Sequence, residues 1–194
     1  MATLPRFALV LASVLAFRPT LDARGMMEVP VTLVVEGSSH PDLQALLEAR
    51  QQATMIYDAI GVSLVWTNEH GLAEDAAPVR LVAVVLSEAR TEQFLRRSDL
   101  PSSVLGVAPY ETGRVYLFWD RIVRRARENN VRPQIVLARV LAHESVHHLL
   151  PLQGHSETGI MRSSVDFSVG DPPVFTPLQA SSIREFLAEA YPGD

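Results

Sequence analysis

The spacing of apolar residues along the chain changes between the two-residue period of strands and the three-to-four-residue period of helices. The first regular stretch, residues 29–35 (VPVTLVV), is rich in β-branched residues and predicts a strand. Apolar residues then recur at spacings of three and four, which predicts a helix that opens at Pro41 and stops at Gly61. Further strands are predicted at residues 62–66 and 79–86, and the second is apolar enough to be central in a sheet.

A less regular region follows the third predicted strand. A short helical piece is expected at residues 88–97, and residues 104–108 and 114–119 predict a pair of strands joined by a loop. Its aromatic residues are interpreted as strand packing rather than substrate contacts: Tyr110, Tyr116 and Trp119. The densest basic stretch of the chain comes next, and because no aromatic residue interleaves it, we interpret it as a solvated surface. It comprises Arg121, Arg124, Arg125 and Arg127.

The most regular helical pattern covers residues 132–150, with Pro133 near its start and Pro151 just beyond its end. The sequence TPLQ at residues 176–179 is a capping box with proline at the first helical position, and it predicts a closing helix. These elements predict an α+β domain over residues 27–194. We expect a mixed, mostly parallel sheet of about five strands, a helix packed against it, and a small C-terminal part closed by a helix.

The N-terminus reads MATLPRFALVLASVLAF, in which one arginine precedes an apolar run from Phe7 to Phe17. This run has about the length of a secretory apolar region and is too short to span a bilayer. We therefore predict a signal peptide over residues 1–23, with the mature chain beginning between Phe17 and Arg24. A buried helix is the alternative interpretation. No other apolar stretch of the sequence is long enough for a membrane span.

Composition narrows the class of function. The chain has 194 residues, which suits one domain, and its formal net charge of -5 disfavours nucleic acid as a partner. It contains no cysteine, so any metal must be bound by nitrogen and oxygen. Export without disulfides fits a bacterial envelope better than a eukaryotic secretory route, and we expect a secreted or periplasmic protein.

Four of the six histidines lie between His143 and His155, in the sequence HESVHHLLPLQGHSETGIM. On a helix, residues four apart project from the same face, so His143 and His147 can present two imidazoles to one metal ion. A catalytic zinc site commonly has three protein ligands and an open position for water, whose proton a nearby carboxylate removes. We predict that Glu144 is this general base.

A third ligand is expected after the helix. His155 lies eight residues beyond His147, and Pro151 and Gly154 allow the chain to turn back towards the helix. We therefore predict His155 as the third ligand. Met161, in the sequence GIM that follows closely, can pass beneath the site as an apolar floor.

Other residues of this region have weaker claims. A carboxylate of the closing helix, Glu185 or Glu189, is the alternative third ligand, but it would leave His155 without a role. His148 points about 100° away from His147 around the helix, so we interpret it as a supporting or surface residue. Two residues that can orient a ligating imidazole are Ser156 and Asp166.

The HExxH helix, the later histidine and the following methionine resemble the metzincin clan of zinc peptidases. The stretch is also similar to a group of small exported bacterial metallopeptidases with an HExxHxLL...HSxxGIMR pattern, as are GRVYLFWDRI before it and FTPLQASSIR after it. Two positions depart from the clan, in which His and Gly stand where this chain has Gln153 and Leu150. No tyrosine follows Met161 closely, and Arg162 is a weak substitute for that tyrosine.

The resemblance implies a zincin- or metzincin-like fold and a Zn2+ cofactor held by His143, His147 and His155. It also implies that an edge strand, here within residues 104–110, pairs with an extended peptide substrate. The expected function is zinc-dependent peptide hydrolysis, with a peptide or protein substrate. Two alternatives stay open, a non-catalytic zinc-stabilised interaction domain of the envelope and a zinc hydrolase of a non-peptide amide.

Overall fold

The computed structural model describes residues 25–37, 41–67, 79–96, 98, 100–164, 167 and 174–190. The predicted signal peptide at residues 1–23 and the predicted start of the mature chain lie outside these residues. Asp166, one of the two candidates to orient an imidazole, lies outside them as well.

A five-stranded mixed sheet forms the N-terminal layer, as the sequence predicts. Its strands are β1 (Met27–Glu36), β2 (Val62–Thr67), β3 (Leu81–Leu86), β4 (Gly106–Val107) and β5 (Arg114–Phe118). They lie in the order β2-β1-β3-β5-β4. The pairs β1–β2, β1–β3 and β3–β5 are parallel, whereas β4 runs antiparallel to β5. The short strand β4 is therefore an edge of the sheet.

Five α-helices and one 3-10 helix occur in the described part of the chain. The α-helices are α1 (Leu43–Asp58), α2 (Glu88–Leu95), α3 (Trp119–Glu128), α4 (Pro133–Leu149) and α5 (Pro177–Ala190), and the 3-10 helix is Tyr110–Thr112. None of the described helices has the length and apolar character that a membrane span requires. The predicted α+β class is confirmed.

The two faces of β3 contact different parts of the core. Leu81, Ala83 and Val85 belong to the large core that includes residues of α1 and α4, whereas Val84 and Leu86 belong to a smaller cluster beside α2. This alternation explains why β3 reads as a continuous apolar run, since a central parallel strand is buried on both faces. The large core holds α4 against the sheet and α1, and so fixes the helix that carries the histidines.

The start of one helix and the length of one strand differ from the predictions. Helix α1 begins after Asp42, whose side chain accepts a hydrogen bond of 2.7 Å from the backbone N–H of Ala45, so Pro41 precedes the helix. The strand predicted at residues 104–108 shrinks to β4. Its partner β5 ends at Phe118, opposite Leu105, because helix α3 begins at Trp119, so Val104 has no strand residue to pair with.

Helix α3 was missed by the sequence analysis, which placed Trp119 in a strand. The helix buries Ile122 and Ala126, four residues apart, against α4. Arginines occupy much of the remaining surface, so the apolar period is too sparse to stand out. The basic stretch is therefore helical, and its arginines differ in exposure.

Candidate metal centre

Helix α4 positions two of the three predicted ligands and the predicted base. It begins with Pro133 at its first turn and buries most of its surface, so the helix is fixed on several sides. His143 is 5% exposed, His147 is half-buried, and Glu144 is 9% exposed. Because His143 and His147 are four residues apart, their rings lie side by side on one face of α4.

The segment after α4 brings His155 to this pair. The Nε2 atom of His147 lies 3.2 Å from Nε2 of His143 and 3.3 Å from Nε2 of His155. The candidate ligand atoms of the three residues all lie within 4.8 Å of one another. His143 is buried, His147 is half-buried and His155 is exposed, so the cluster lies at the boundary between the core and solvent.

Hydrogen bonds to backbone groups hold the rings of His143 and His147. Nδ1 of His143 donates a 2.8 Å hydrogen bond to the carbonyl oxygen of Ile160, and the backbone of Gln153 hydrogen-bonds the ring of His147. In the neutral tautomer with hydrogen on Nδ1, Nε2 carries a free lone pair. Burial lowers the pKa of His143 to about 4 and lowers that of His147, which favours this neutral form. Such oriented, neutral imidazoles are what a metal ion requires.

The spacing of the nitrogens fits a small divalent cation. A tetrahedral zinc site with Zn–N distances of about 2.0–2.1 Å separates its nitrogen ligands by about 3.3 Å. The two separations from His147 are 3.2 and 3.3 Å. When each Nε2 carries a lone pair and no hydrogen, two neighbouring Nε2 atoms cannot form a hydrogen bond with each other. One shared cation can accept the lone pairs of all three. His143, His147 and His155 therefore form a candidate metal site.

The turn at residues 159–161 contacts His143 and the segment that carries His155. The backbone N–H of Ser156 donates to the carbonyl of Met161 at 2.8 Å, and the N–H of Ile160 donates to Val174 at 3.1 Å. The Met161 side chain is fully buried within the large core. Met161 thus directly follows Ile160, and the carbonyl oxygen of Ile160 accepts the hydrogen bond from His143.

The glycine on which this turn depends is Gly159 rather than Gly154. Gly159 has a φ of +73°, and a Cβ there would lie 2.8 Å from the carbonyl oxygen of Val174. Gly154 has no atom within 4 Å of such a Cβ, and its φ is not positive. From the sequence, Gly154 is the expected turning residue because it directly precedes His155.

The Glu144 side chain faces a cleft of about 490 Å³ that also contains the histidines. Burial raises the pKa of Glu144 to about 8. Strand β4 forms one wall, and Gly106 approaches Glu144 so closely that a Cβ there would lie 2.9 Å from its Cγ. Sequence reasoning did not select Gly106, although a glycine within a strand often marks a close approach. Other lining residues include Leu100, Val104, Leu105, Ala108, Tyr110, Arg125, Val140, Pro151, Ser163, Ser164 and Phe167.

The weaker candidates lie outside the cluster. His148 is half-buried and hydrogen-bonds the backbone of Arg80. Glu185 is exposed and accepts a 3.1 Å hydrogen bond from Ser181, and Glu189 is also exposed. Within the described chain, the group of residues able to hold a metal contains His155 and neither of these glutamates.

Ser156 and the aromatic residues have different surroundings from those predicted. The Ser156 hydroxyl donates to the carbonyl of Thr158 and accepts from Gln179 Nε2, so it links the turn to α5 instead of orienting an imidazole. Tyr116 packs against Phe94, as expected of a strand residue. Tyr110 is 73% exposed and lines the cleft, so its interpretation as strand packing was wrong.

Comparisons with known proteins identify no family for this chain. The sequence matches no protein-family model and no curated protein. Among solved structures, the chain is similar to the solution structure of the target protein TM1509 from Thermotoga maritima. The two share 14% sequence identity over 83% of this chain and 89% of the other, with a TM-score of 0.37. A likeness at this level supports no argument about function.

Proposed function

We propose that the protein is a metzincin-like, zinc-dependent metallopeptidase that hydrolyses bonds of a peptide or protein substrate. The observation that carries this proposal is the convergence of three imidazole Nε2 atoms beside a buried carboxylate in one cleft. A purely structural site needs the nitrogens but has no use for Glu144 next to the first ligand. Because a signal peptide is predicted at residues 1–23, we also propose that the protein acts outside the cytoplasm, in the medium or the periplasm.

The residues that would hold zinc are His143, His147 and His155. Their all-nitrogen chemistry, their separations and the orienting carbonyl of Ile160 fit this ion. When bound, zinc lowers the pKa of water to about 7 and polarises a carbonyl group. Three protein ligands leave a coordination position open, as in catalytic zinc sites.

Glu144 takes the role of general base in this proposal. It accepts a proton from the attacking water and passes it to the nitrogen of the leaving amine, while the water oxygen bonds to the carbonyl carbon and the carbon–nitrogen bond breaks. The apolar surroundings that raise its pKa make the carboxylate a stronger base. They also suit the return of the proton in the second half of the reaction.

The edge strand supports a peptide as the substrate. Strand β4 pairs with β5 on one side, and its other side borders the cleft that contains Glu144 and the histidines. An extended peptide can add to such an edge through backbone hydrogen bonds. The scissile bond would then lie near Glu144, which Gly106 contacts.

The second candidate is a non-catalytic zinc-stabilised interaction domain of the envelope. It is favoured by the position of His155 on an irregular segment, because a metal there would tie the C-terminal part to α4. The buried Glu144 and the open cleft favour the enzyme. Peptide hydrolysis is thus our leading proposal.

The test compares zinc content with peptide turnover in the mature protein and in Glu144→Ala. The variant keeps all three imidazoles, so we expect close to one zinc per chain. Turnover of a mixed peptide library should fall by a factor of about a hundred to ten thousand, as is typical when a general base is lost. A chelator should abolish the cleavage by the parent protein.

Two outcomes would contradict the proposal. Cleavage by Glu144→Ala at the parental rate would exclude Glu144 as the base. A zinc-loaded parent that cleaves no member of the library would favour the interaction domain.

A further inference from the structure

The arginines of α3 divide into two pairs by their exposure. The side chain of Arg124 is 63% exposed and forms a 3.7 Å ion pair with Asp120 on the same helix, and Arg127 is also exposed. The side chain of Arg125 is only 26% exposed, and Arg121 is likewise half-buried. Arg121 and Arg125 are four residues apart and therefore lie on the same face of the helix. The interpretation of the basic stretch as a solvated surface was correct for half of it.

Arg121 fixes the position of this face relative to the cleft. Its Nη1 donates to the carbonyl oxygens of Pro101 and Val104, at 3.0 and 2.8 Å. These residues lead into β4, the wall of the cleft. Arg125, one turn further along α3, lines the cleft together with Leu100 and Val104. Arg125 and the residues that lead into β4 thus line the same cleft.

The hydrogen-bond donors of Arg125 are only partly used within the described residues. Its Nε donates to Glu128 at 3.1 Å, and Glu128 is 57% exposed and does not line the cleft. No described contact engages the Nη1 and Nη2 groups of Arg125, which carry four of its five N–H donors. Among the described lining residues, Arg125 is the one guanidinium and Glu144 the one carboxylate.

The cleft that Arg125 lines is largely apolar and includes Leu100, Val104, Val140 and Phe167. A guanidinium in such surroundings interacts more strongly with an anion than one in bulk water, because the effective dielectric is lower. Its planar, forked donors match a carboxylate with two parallel hydrogen bonds. The exposed ion pair with Glu128 is weak by comparison, because solvent screens it.

Building on the peptidase function proposed above, we infer that Arg125 selects substrates that carry a carboxylate within its reach in the cleft. The carboxylate can come from an aspartate or glutamate side chain or from the C-terminus of the substrate. Either source supplies the same planar pair of oxygens. Substrates with a neutral or basic group at this point leave the guanidinium without its second partner.

The experiment uses internally quenched peptides built on a sequence that the mature protein cleaves. One series replaces each position around the cut by Glu or Gln, and a second series compares a free C-terminal carboxylate with its amide at increasing distance from the cut. We expect one position or one chain length at which the carboxylate raises kcat/KM by roughly ten- to hundredfold, the range for a hydrogen bond to a charged group. The two series distinguish the two sources of the carboxylate.

Three variants assign this preference to Arg125. In Arg125→Gln the ratio between the charged and the neutral peptide should fall to about one, and in Arg125→Glu the preference should shift to a Lys peptide. Arg124→Gln removes the same charge from the exposed face of α3 and should keep the parental ratio. A ratio of about one in the parent, or a parental ratio in Arg125→Gln, would overturn the inference while leaving the peptidase function intact.

A binding measurement separates this inference from the failure of the proposed function. Fluorescence anisotropy gives the affinity of the same labelled peptides for Glu144→Gln, with and without Arg125→Gln, and needs no turnover. If the parent cleaves nothing but carboxylate peptides bind roughly tenfold more tightly in an Arg125-dependent way, the peptidase proposal fails and the carboxylate site stands. If the charged and neutral peptides bind equally, the carboxylate site is refuted whatever the turnover.

Discussion

The candidate metal site is built from two regions that differ in how their geometry is fixed. His143 and His147 belong to α4, where one helical turn determines their separation and the core holds the helix in place. His155 belongs to an irregular segment, is exposed, and reaches the pair only because that segment folds back. The helical half is thus specified by local spacing, whereas the loop half depends on contacts between residues far apart in the chain.

One hydrogen bond joins the two halves, and another joins the loop half to α5. The spacing of the histidines reveals neither bond. His143 donates to the carbonyl of Ile160, and Ser156 joins the same segment to α5 through Gln179. Gln179 in turn forms the capping box of α5 with Thr176, with hydrogen bonds of 2.9 and 3.3 Å. Helix α5 therefore supports the loop half of the site without supplying a ligand.

The largest effect is expected from His143→Ala, which removes a ligand and also the bond between the two halves. We expect the variant to lose its zinc and its peptide turnover together, because two imidazoles and a detached turn hold the ion poorly. Metal analysis and turnover of the same preparation test this. His148→Ala is the matched control, since His148 sits beside His147 but contacts Arg80, and it should keep one zinc. Zinc retention in His143→Ala would show that His143 is not a required ligand.

His155→Ala tests the loop half directly. It removes the third nitrogen but leaves α4 intact, so we expect zinc affinity to fall by at least about a hundredfold while the protein stays folded. Competition with a chromophoric chelator measures the affinity, and circular dichroism checks the fold. Glu185→Ala should bind zinc as the parent does. Loss of zinc in Glu185→Ala together with retention in His155→Ala would transfer the third ligand to α5 and refute the site described above.

The same contrast explains how much of the fold was predictable from sequence. The central strand β3, the helix α4 and the capping box of α5 carry strong local signals, and each was predicted within two residues. Helix α3 was missed because its apolar period rests mainly on Ile122 and Ala126 among many arginines. The length of β4 depends on its partner β5, which ends at Phe118 where α3 begins, and no apolar pattern within residues 104–108 contains that information.

The site was predictable to the extent that helical spacing and residue chemistry determine it. His143, Glu144 and His147 follow from one turn of a helix, and His155 was predicted because Pro151 and Gly154 allow the chain to turn back. The support of the turn by Gly159 and the contact of Gly106 with Glu144 arise from tertiary packing. Arg125 looked like one member of a basic surface, and only the orientation of α3 places it in the cleft.

Gln179→Ala sharpens the comparison with a smaller effect, because Gln179 touches no ligand. Its Nε2 donates to Ser156 at 2.8 Å, and its backbone and side chain complete the cap of α5. We expect a loss of zinc affinity of about tenfold to a hundredfold, as is typical for supporting residues of metal sites. Ser181→Ala, which removes an exposed bond to Glu185 on the same helix, serves as the control. Equal zinc affinity in the two variants would contradict a supporting role for α5.

The smallest effect is expected from Gly106→Ala, which leaves both halves of the candidate metal site in place and disturbs Glu144, the proposed base. The new Cβ would lie 2.9 Å from Glu144 Cγ and 3.0 Å from Val140 Cγ1 and the Tyr116 carbonyl. Such overpacking typically costs about 1–3 kcal/mol of stability. We expect unchanged zinc content with kcat reduced by about tenfold, since the carboxylate must move away from β4 by a few tenths of an ångström.

Gly154→Ala is the matched control for this substitution. Its new Cβ would meet nothing within 4 Å, so zinc content, kcat and stability should remain parental. Steady-state kinetics beside thermal unfolding separates the two explanations for a slow Gly106→Ala enzyme. A fall in unfolding temperature at parental kcat would mean that Gly106 serves packing alone. A fall in kcat at one zinc per chain would mean that the edge strand positions the Glu144 carboxylate, and that the wall of the cleft and the base act together.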